Sequence, residues 1–307
     1  MSTPPKNVNS VLIGGASGLL GSALTKAWKG QHRVARLVRS SSSGAEGDVP
    51  WSPSEGQLLT SSVEGFDGVV LLSGEGVVSG RWTASKKQKI LQSRVQSAGL
   101  LAQALAACAR PPKVFVCASA IGFYGDTGRQ TVDETAPQGS GFLAEVCQAW
   151  EAATQPAVDA GIRVVNMRIG LVLSPKGGAL SAMLTPFKLG AGGVVGPGTQ
   201  GMSWISMPDV VGAVNHILQT ESLRGPVNLT APNPVDNRAF TKTLADVLSR
   251  PAILPAPAFA LRAALGRQMA NETVLASAFV TPKALIDSGY AFQHAELEPA
   301  LRAVLAD

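Results

Sequence analysis

The sequence predicts an α/β protein with a doubly wound, mostly parallel sheet and a small, mostly helical carboxyl-terminal cap. Short apolar runs alternate with longer segments of helical spacing, and a glycine-rich turn follows the first run. A stretch with prolines at 230–237 then separates off a tail in which only helical patterns remain. Alternating strands and helices are typical of βαβ units, whose helices cover both faces of a parallel sheet.

The order of elements follows from these patterns. Strands are predicted where a buried apolar run stops at glycine or polar residues, at 8–13, 33–38, 68–72, 113–118, 162–167 and 225–229. Helices are predicted at 19–28, 83–109, 142–160, 180–189, 208–220, 238–248, 258–270 and 296–305. We therefore predict a dinucleotide-binding domain at 1–235 and a small domain at 236–307, with part of 170–201 on the substrate side of the cleft.

Composition excludes several functional classes. The chain has 307 residues, of which 45% are hydrophobic and 15% charged, enough apolar material for a folded core. The net charge of +5 is thinly spread, which argues against a nucleic-acid-binding face. No apolar run approaches the length of a membrane span, and the first ten residues lack a secretory core, so we expect a cytoplasmic protein without a membrane partner.

Cysteine and histidine are few and scattered. The three cysteines form neither a disulfide framework nor a Cys-x-x-Cys motif, which indicates a reducing compartment: Cys108, Cys117 and Cys147. The three histidines have no metal-ligand spacing: His32, His216 and His294. We therefore predict no metal site.

A glycine triplet lies between the first predicted strand and the first predicted helix. Gly15, Gly18 and Gly21 have the spacing Gly-x-x-Gly-x-x-Gly. The first glycine permits a tight turn, the second lets backbone N–H groups approach a pyrophosphate, and the third lets the helix pack on the strand. The helix amino terminus adds unpaired N–H donors. The pattern predicts a Rossmann-type cofactor site formed by Gly15, Ser17, Gly18, Leu19, Leu20 and Gly21.

The end of the second strand distinguishes the two nicotinamide cofactors. An acidic residue there would bind the ribose hydroxyls of NAD, whereas a cation suits the additional phosphate of NADP. The segment 36–41 contains no acidic residue. We predict NADP(H), with Arg39 as the phosphate ligand and Ser40 as a hydroxyl partner, while Arg36 lies inside the strand.

Further landmarks follow the glycine loop in order: the turn Leu72-Ser73-Gly74, Ser119 with Phe123-Tyr124-Gly125, and the late segment Trp204-Ile205-Ser206-Met207-Pro208-Asp209. Together they resemble the extended short-chain dehydrogenase/reductase superfamily of the NAD-dependent epimerase/dehydratase type. A closer resemblance, to an epimerase-like subfamily with its own carboxyl-terminal domain, rests on Gly80-Arg81-Trp82, Ser93-Arg94, Trp150-Glu151, the segment 168–173, Gly177-Gly178-Ala179 and the tail 255–305. The resemblance covers nearly the whole chain.

This resemblance implies further contacts in the loops past the strand ends. Cofactor contacts are expected from Ser73, Gly74, Glu75 and Arg94. Substrate-side contacts are expected from Arg81, Trp82, Tyr124 and Trp204, because arginine binds anions and tryptophan offers a flat stacking surface. The superfamily also implies a homodimer that pairs through the helices predicted at 83–109 and 142–160.

The acid–base pair of the superfamily is replaced in this chain. The usual chemistry places a tyrosine and a lysine four residues apart on one helix face, as Tyr-x-x-x-Lys. The chain has two tyrosines, and neither Tyr124 nor Tyr290 has a lysine four residues later. If Trp150 and Glu151 fix the register of the helix, then Leu143 stands at the tyrosine position and Cys147 at the lysine position.

The serine of the same chemistry is expected four residues before Tyr124, where the chain has Ala120 with Ser119 beside it. Three interpretations follow. The first is an NADP(H)-dependent oxidoreductase or epimerase with rearranged acid–base groups, for which Ser119 and Tyr124 are candidates, with Glu75 and Cys147 nearby. It would act on a small-molecule substrate that the residues do not identify.

The second interpretation is an NADP(H)-binding regulator or interaction module without turnover, a reading that the cell-division names of some bacterial relatives also suggest. A sugar-nucleotide binder that has lost its redox step is a third, since the glycine-rich segment 177–201 could line such a site.

Overall fold

In the computed structural model, which describes residues 8–39 and 47–306, parallel strands form a central sheet with helices on both faces. The strands are, in chain order, β1 (Ser10–Gly14), β2 (Arg33–Val38), β3 (Val49–Pro50), β4 (Gly68–Leu71), β5 (Val114–Ala120), β6 (Thr131–Val132), β7 (Arg163–Ile169), β8 (Leu171–Leu173), β9 (Gly201–Met202), β10 (Trp204–Ser206), β11 (Gly225–Leu229), β12 (Val235–Asp236) and β13 (Phe279–Val280).

Helices connect and cover these strands. They are α1 (Leu19–Trp28), α2 (Thr60–Val63), α3 (Ala84–Ala106), α4 (Phe142–Ala152), α5 (Gln155–Asp159), α6 (Gly178–Lys188), α7 (Met207–Gln219), α8 (Asn237–Leu248), α9 (Ala258–Leu265), α10 (Arg267–Glu272), α11 (Lys283–Asp287) and α12 (Leu297–Ala306). Among the described residues no helix is both long enough and apolar enough to cross a membrane.

The central sheet has the order β11-β7-β5-β4-β1-β2-β3, and every neighbouring pair in it is parallel. The predicted doubly wound fold is thereby confirmed. From β1 the chain adds strands first toward β3 and then toward β11, so the order reverses between β1 and β4. In open α/β sheets, ligands bind at the carboxyl ends of the strands beside such a reversal.

Two apolar clusters hold the helices to the sheet. One contains Leu101 and Leu105 of α3 and Trp150 of α4, and the other contains Leu24 of α1 and Ile217 of α7. Burial on both faces explains why the strands are continuous apolar runs: all five residues of β1 are buried. The sequence pattern therefore located six strands of the central sheet to within about two residues and missed the short edge strand β3.

Two predicted helices are each divided in the structure. The helix expected at 142–160 becomes α4 and α5, because Pro156 cannot donate a helical hydrogen bond and its ring clashes with the preceding turn. The helix expected at 258–270 becomes α9 and α10, separated by Gly266 with a φ of +89°.

The carboxyl-terminal segment is hydrogen-bonded into the first domain rather than merely resting on it. Asp209, at the start of α7, has no exposed surface and accepts hydrogen bonds from the Tyr290 hydroxyl (3.1 Å), the Gln293 amide (2.7 Å) and the His294 amide (3.0 Å). A third apolar cluster combines Leu173 of β8 with residues of α6, α8 and α12. The boundary at residue 235 stays a prediction.

At the amino-terminal edge of the sheet, Asp67 joins three strands. Its carboxylate accepts from the backbone amides of Asn9 and Ser10, both at 3.0 Å, and lies 2.8 Å from the Lys113 ammonium. Burial opposes ionisation, but these hydrogen bonds outweigh it and lower the pKa of Asp67 to about 2, from an ordinary value of 3.8. The ionised side chain is therefore worth about 2 kcal/mol to the fold at neutral pH.

We expect Asp67→Asn to lower the free energy of unfolding by about 2 kcal/mol at pH 7. Because the folded pKa is depressed, this contribution is complete above the unfolded pKa near 4 and is lost as pH falls toward 2. Urea unfolding at pH 7 and pH 2.5 measures the difference. Asp246→Asn, which removes an exposed pair with Lys242, is the control; equal pH profiles for the two variants would contradict the assignment.

Candidate functional site

Three loops meet at the carboxyl edge of the sheet, on both sides of the reversal between β1 and β4. The first joins β1 to α1, the second follows β4, and the third is a 3-10 turn at Ile121–Tyr124 after β5. Because the carboxyl ends of parallel strands lie at one edge, residues far apart in sequence come together here.

The glycine loop is tightly packed, and two of its glycines could not carry a side chain. Gly15 has a φ of +82°, and a Cβ atom there would lie 2.9 Å from the Leu72 carbonyl carbon. A Cβ atom on Gly21 would lie 2.1 Å from the Gly15 carbonyl oxygen. The loop is therefore held directly against both the first turn of α1 and the loop after β4, as the predicted glycine roles require.

The amino terminus of α1 is open to a ligand. Gly18 occupies the cap position, no side chain caps the helix, and its first turn contains no acidic residue. Unpaired N–H groups and the positive end of the helix dipole together favour phosphate. Gly177 and Gly178 lie over Leu19 at this end of α1, so the start of α6 borders the same space.

The end of β2 presents an exposed cation beside the glycine loop. Arg39 directly follows the strand and is exposed. Arg36, within the strand, is held in a two-pronged pair with Asp48, with Nε–Oδ1 and Nη2–Oδ2 distances of 2.9 and 2.5 Å. The guanidinium of Arg36 is thus already engaged, as its position inside the strand suggested. Ser40 lies outside the described residues.

The loop after β4 is fixed by residues of α3. Lys86 donates to the Glu75 carboxylate (2.5 Å) and the Ser79 hydroxyl (2.7 Å). The hydrogen bond from Lys86 lowers the pKa of Glu75, which stays ionised and paired rather than poised to exchange a proton. Ser73 lies next to Gly14 of β1, and the Arg94 guanidinium covers Gly74.

Helix α4 carries no acid–base pair at the expected positions. Leu143 and Cys147 both face Gly122 in the turn after β5, where a Cβ atom would lie 3.4 Å from the Leu143 Cβ and 3.9 Å from the Cys147 Sγ. Burial raises the pKa of Cys147 to about 11, so its thiol stays protonated at neutral pH. The residues that replace the tyrosine and the lysine thus lie beside the strand end but offer no base.

The two candidate catalytic residues are engaged in an internal polar network. Ser119 is 3% exposed and donates to the Glu151 carboxylate at 2.7 Å. Tyr124 is 4% exposed; its hydroxyl donates to the Asn228 side chain (2.8 Å) and accepts from Arg168 (3.1 Å). Burial raises the pKa of the Tyr124 phenol. The structure therefore argues against either hydroxyl as a proton donor to a substrate.

Arg168 is the centre of this network, which sequence reasoning missed. Its guanidinium forms a two-pronged pair with Glu151 at 2.9 and 2.8 Å and stacks on the Phe123 ring, 3.4 Å from the centroid. Burial opposes the charge, but the bonds to Glu151 outweigh it and raise the pKa of Arg168. The sequence signal was an arginine inside an apolar strand, which only a buried partner can satisfy.

The carboxyl-terminal helices α9 and α10 close one side of the cleft. Arg81 donates to the Ala263 carbonyl at 2.8 Å, and the Glu272 carboxylate accepts from the Leu143 amide at 2.9 Å. Trp82 packs edge-on against Phe142, with ring centroids 5.1 Å apart. Arg81 and Trp82 therefore lie where the cap meets the cleft, although the Arg81 guanidinium already contacts α9.

Trp204 was predicted to contact the substrate, but it is buried in the structure. Its side chain has no exposed surface and lies in the third apolar cluster with Leu173 and Phe240. It lies on β10, which pairs with β8 behind the cleft, and so offers no stacking face to a ligand. Among the described residues there is no cluster of three or more His, Cys, Asp or Glu side chains that could bind a metal ion.

Comparison with known proteins agrees with this geometry. Residues 11–229 match the model of the NAD dependent epimerase/dehydratase family, and residues 256–304 match a domain of unknown function, DUF1731. An epimerase family protein of Mycobacterium leprae is 41% identical over 95% of this chain and 94% of its own length.

Two solved structures extend the comparison. The crystal structure of human epimerase family protein SDR39U1 with NADPH superposes with a TM-score of 0.89 at 32% identity, covering 97% of this chain and 99% of that one. A nucleoside-diphosphate sugar epimerase from Corynebacterium glutamicum gives 0.79 at 33% identity, covering 99% of this chain and 58% of that longer one. By sequence and by fold, this chain belongs to the NAD-dependent epimerase/dehydratase family.

Proposed function

We propose that the chain binds NADP(H) across the carboxyl edge of its sheet, as a member of the extended short-chain dehydrogenase/reductase type. The observation that carries the proposal is the uncapped start of α1, against which Gly15 and Gly21 are packed too closely for any side chain. Such a cradle suits a pyrophosphate, because backbone N–H groups can approach its oxygens directly. The NADPH in the human relative supports the same assignment.

We further propose that Arg39 selects NADP(H) over NAD(H). It is exposed next to the glycine loop, and the segment 36–41 contains no acidic residue. An arginine binds a phosphate through a charge-assisted fork, whereas it has nothing equivalent to bind on a free 2′-hydroxyl.

We expect Arg39→Ala to weaken NADPH binding by about 10–100-fold and to leave NADH binding nearly unchanged, because only NADPH carries the 2′-phosphate. Titration of nicotinamide fluorescence with each cofactor measures both affinities. Arg302→Ala, which removes an arginine exposed on α12, is the control for lost net charge. Equal affinities of the unmodified protein for the two cofactors would sink the role of Arg39.

A redox step would have the nicotinamide exchange hydride with a carbon bearing a hydroxyl or a carbonyl. The chain's own residues would orient this reaction: the glycine loop would hold the phosphates, and Trp82 and Arg81 border the side of the cleft that α9 closes. The proton must come from a group other than the Tyr124 phenol, whose hydroxyl is already engaged on both sides.

One observation favours a second candidate, a protein that binds NADP(H) without turning it over. Leu143 and Cys147 occupy the positions of the tyrosine and lysine, and neither can serve as a base at neutral pH. Incubation of the protein with NADPH and a panel of aldehydes and ketones, and with NADP+ and a panel of nucleotide sugars, separates the candidates. Oxidation of NADPH, reduction of NADP+ or an epimerised sugar supports an enzyme, and tight cofactor binding with none of these supports the second candidate.

A further inference from the structure

The Arg94 guanidinium lies beside the loop after β4 with the donors of two of its three nitrogens unused. Its Nη1 donates to the Glu75 carbonyl at 3.0 Å and to the Ile90 carbonyl at 2.9 Å. Within the described part of the chain, no acceptor lies on Nε or Nη2. These two nitrogens are on the side of Gly74, where a Cβ atom would lie 3.5 Å from Nε and 3.4 Å from Nη2.

Arg94 forms no ion pair among the described residues. The nearby Glu75 carboxylate favours the charge of Arg94 but is hydrogen-bonded to Lys86 and not to Arg94. Cys147, the other group near it, is neutral because burial raises its thiol pKa. Burial lowers the pKa of Arg94 itself, although a guanidinium stays charged at neutral pH. Unpaired N–H donors on a partly buried guanidinium are costly, which points to a ligand that supplies acceptors to Nε and Nη2.

The order of the strands indicates which part of the cofactor reaches Arg94. Arg39 lies at the end of β2, the glycine loop at the end of β1, and Gly74 after β4, and these three strands are successive neighbours in the sheet. A dinucleotide with its 2′-phosphate at Arg39 and its pyrophosphate at the glycine loop extends past β4 with its other end. That end is the nicotinamide and its ribose.

We propose that Arg94 binds the ribose hydroxyls of the nicotinamide half of NADP(H), an inference that rests on the cofactor assignment above. Arg94 would thus supply, from α3, the cation that α4 lacks at Cys147. The side chain is preorganised for this: two backbone carbonyls hold Nη1, and the guanidinium carbon lies 4.9 Å from the centre of the Trp150 ring. Little side-chain entropy remains to be lost on binding.

Three ligands of increasing length test the assignment. 2′,5′-ADP carries the adenosine with its 2′-phosphate and one 5′-phosphate. Adenosine 2′-phosphate 5′-diphosphate adds the second phosphate of the pyrophosphate, and NADPH adds the nicotinamide and its ribose. For Arg94→Ala we expect the dissociation constant of NADPH to rise about 10–100-fold and those of the two shorter ligands to stay the same. Isothermal titration calorimetry measures all three, so the readout does not depend on turnover.

Matched variants separate the possible outcomes. Lys89→Ala removes an exposed positive charge from the same helix and should change none of the affinities. Arg94→Lys keeps the charge without the two-pronged guanidinium and should weaken NADPH binding less than Arg94→Ala does. If the alanine variant does not fold, Arg94→Lys is tested in its place and should weaken binding of NADPH but not of the two shorter ligands.

Equal weakening of NADPH and the 5′-diphosphate by loss of Arg94 would assign the guanidinium to the pyrophosphate and overturn the proposal. No weakening of any ligand would overturn it as well. If the unmodified protein bound none of the three, the cofactor assignment itself would fail, a result distinguishable from an error about Arg94 alone.

Discussion

Gly21→Ala is expected to lower the affinity for NADPH by on the order of a hundredfold and the free energy of unfolding by about 1–3 kcal/mol. The added Cβ atom would lie 2.1 Å from the Gly15 carbonyl oxygen and 2.7 Å from the Ala16 Cα. Both neighbours are backbone atoms, so the strain cannot be relieved by turning a side chain. The loop must move away from α1, and the N–H groups that face the phosphates move with it.

Gly99→Ala is the matched control, because Gly99 also lies within a helix but has open space at its Cβ, with the nearest atom 4.0 Å away. That variant should be as stable as the parent or slightly more so, since alanine favours helix over glycine. Fluorescence titration and urea unfolding give the two quantities. Retention of full NADPH affinity in Gly21→Ala would contradict the proposed role of the glycine loop.

Arg168→Met is expected to be the most destabilising of the substitutions considered, at about 3–5 kcal/mol. The side chains of Arg168 and Glu151 are only 5% and 13% exposed, so removal of the cation leaves a buried carboxylate with the Ser119 hydroxyl as its remaining partner. Methionine fills much of the volume, so most of the loss is electrostatic. The midpoint of urea unfolding, compared at unchanged slope, measures it.

Two companions sharpen the Arg168 prediction. The double variant Arg168→Met/Glu151→Gln should recover a large part of the loss, because no buried charge is then left alone. Arg302→Met breaks a pair with Glu298 in which both side chains are more than half exposed, and should cost about 0–1 kcal/mol. Similar costs for Arg168→Met and Arg302→Met would show that burial adds nothing to the network.

The fold was predictable because its signals are local. Parallel strands buried on both faces appear as short apolar runs, and the glycine loop marks where the first of them ends. The bounds of α1 and β2 agree with the sequence pattern residue for residue. The helix breaks were not predicted, because the hydrophobic periodicity continues across Pro156 and Gly266 whereas the helical hydrogen bonding is interrupted near them.

The sequence predicted where the glycine loop and Arg39 lie in the fold, but it did not predict the contacts of the polar side chains near them. Whether a polar side chain faces the cleft depends on partners far away in sequence: Ser119 meets Glu151, and Tyr124 meets Asn228 across 104 residues. The burial of Trp204 was missed for the same reason, because its apolar cluster includes residues of α8 and α12, which come later in the chain. No local pattern distinguishes such a core residue from an exposed one.

The hydrogen bonds of Asp209 have a consequence for the order of events during synthesis. The last strand of the central sheet ends at Leu229, yet three donors to the buried Asp209 carboxylate lie 81 to 85 residues further along the chain than Asp209 itself, and only Ser206 donates locally. We therefore expect the start of α7 to reach its final hydrogen bonding only after the segment with Gln293 and His294 has been synthesised.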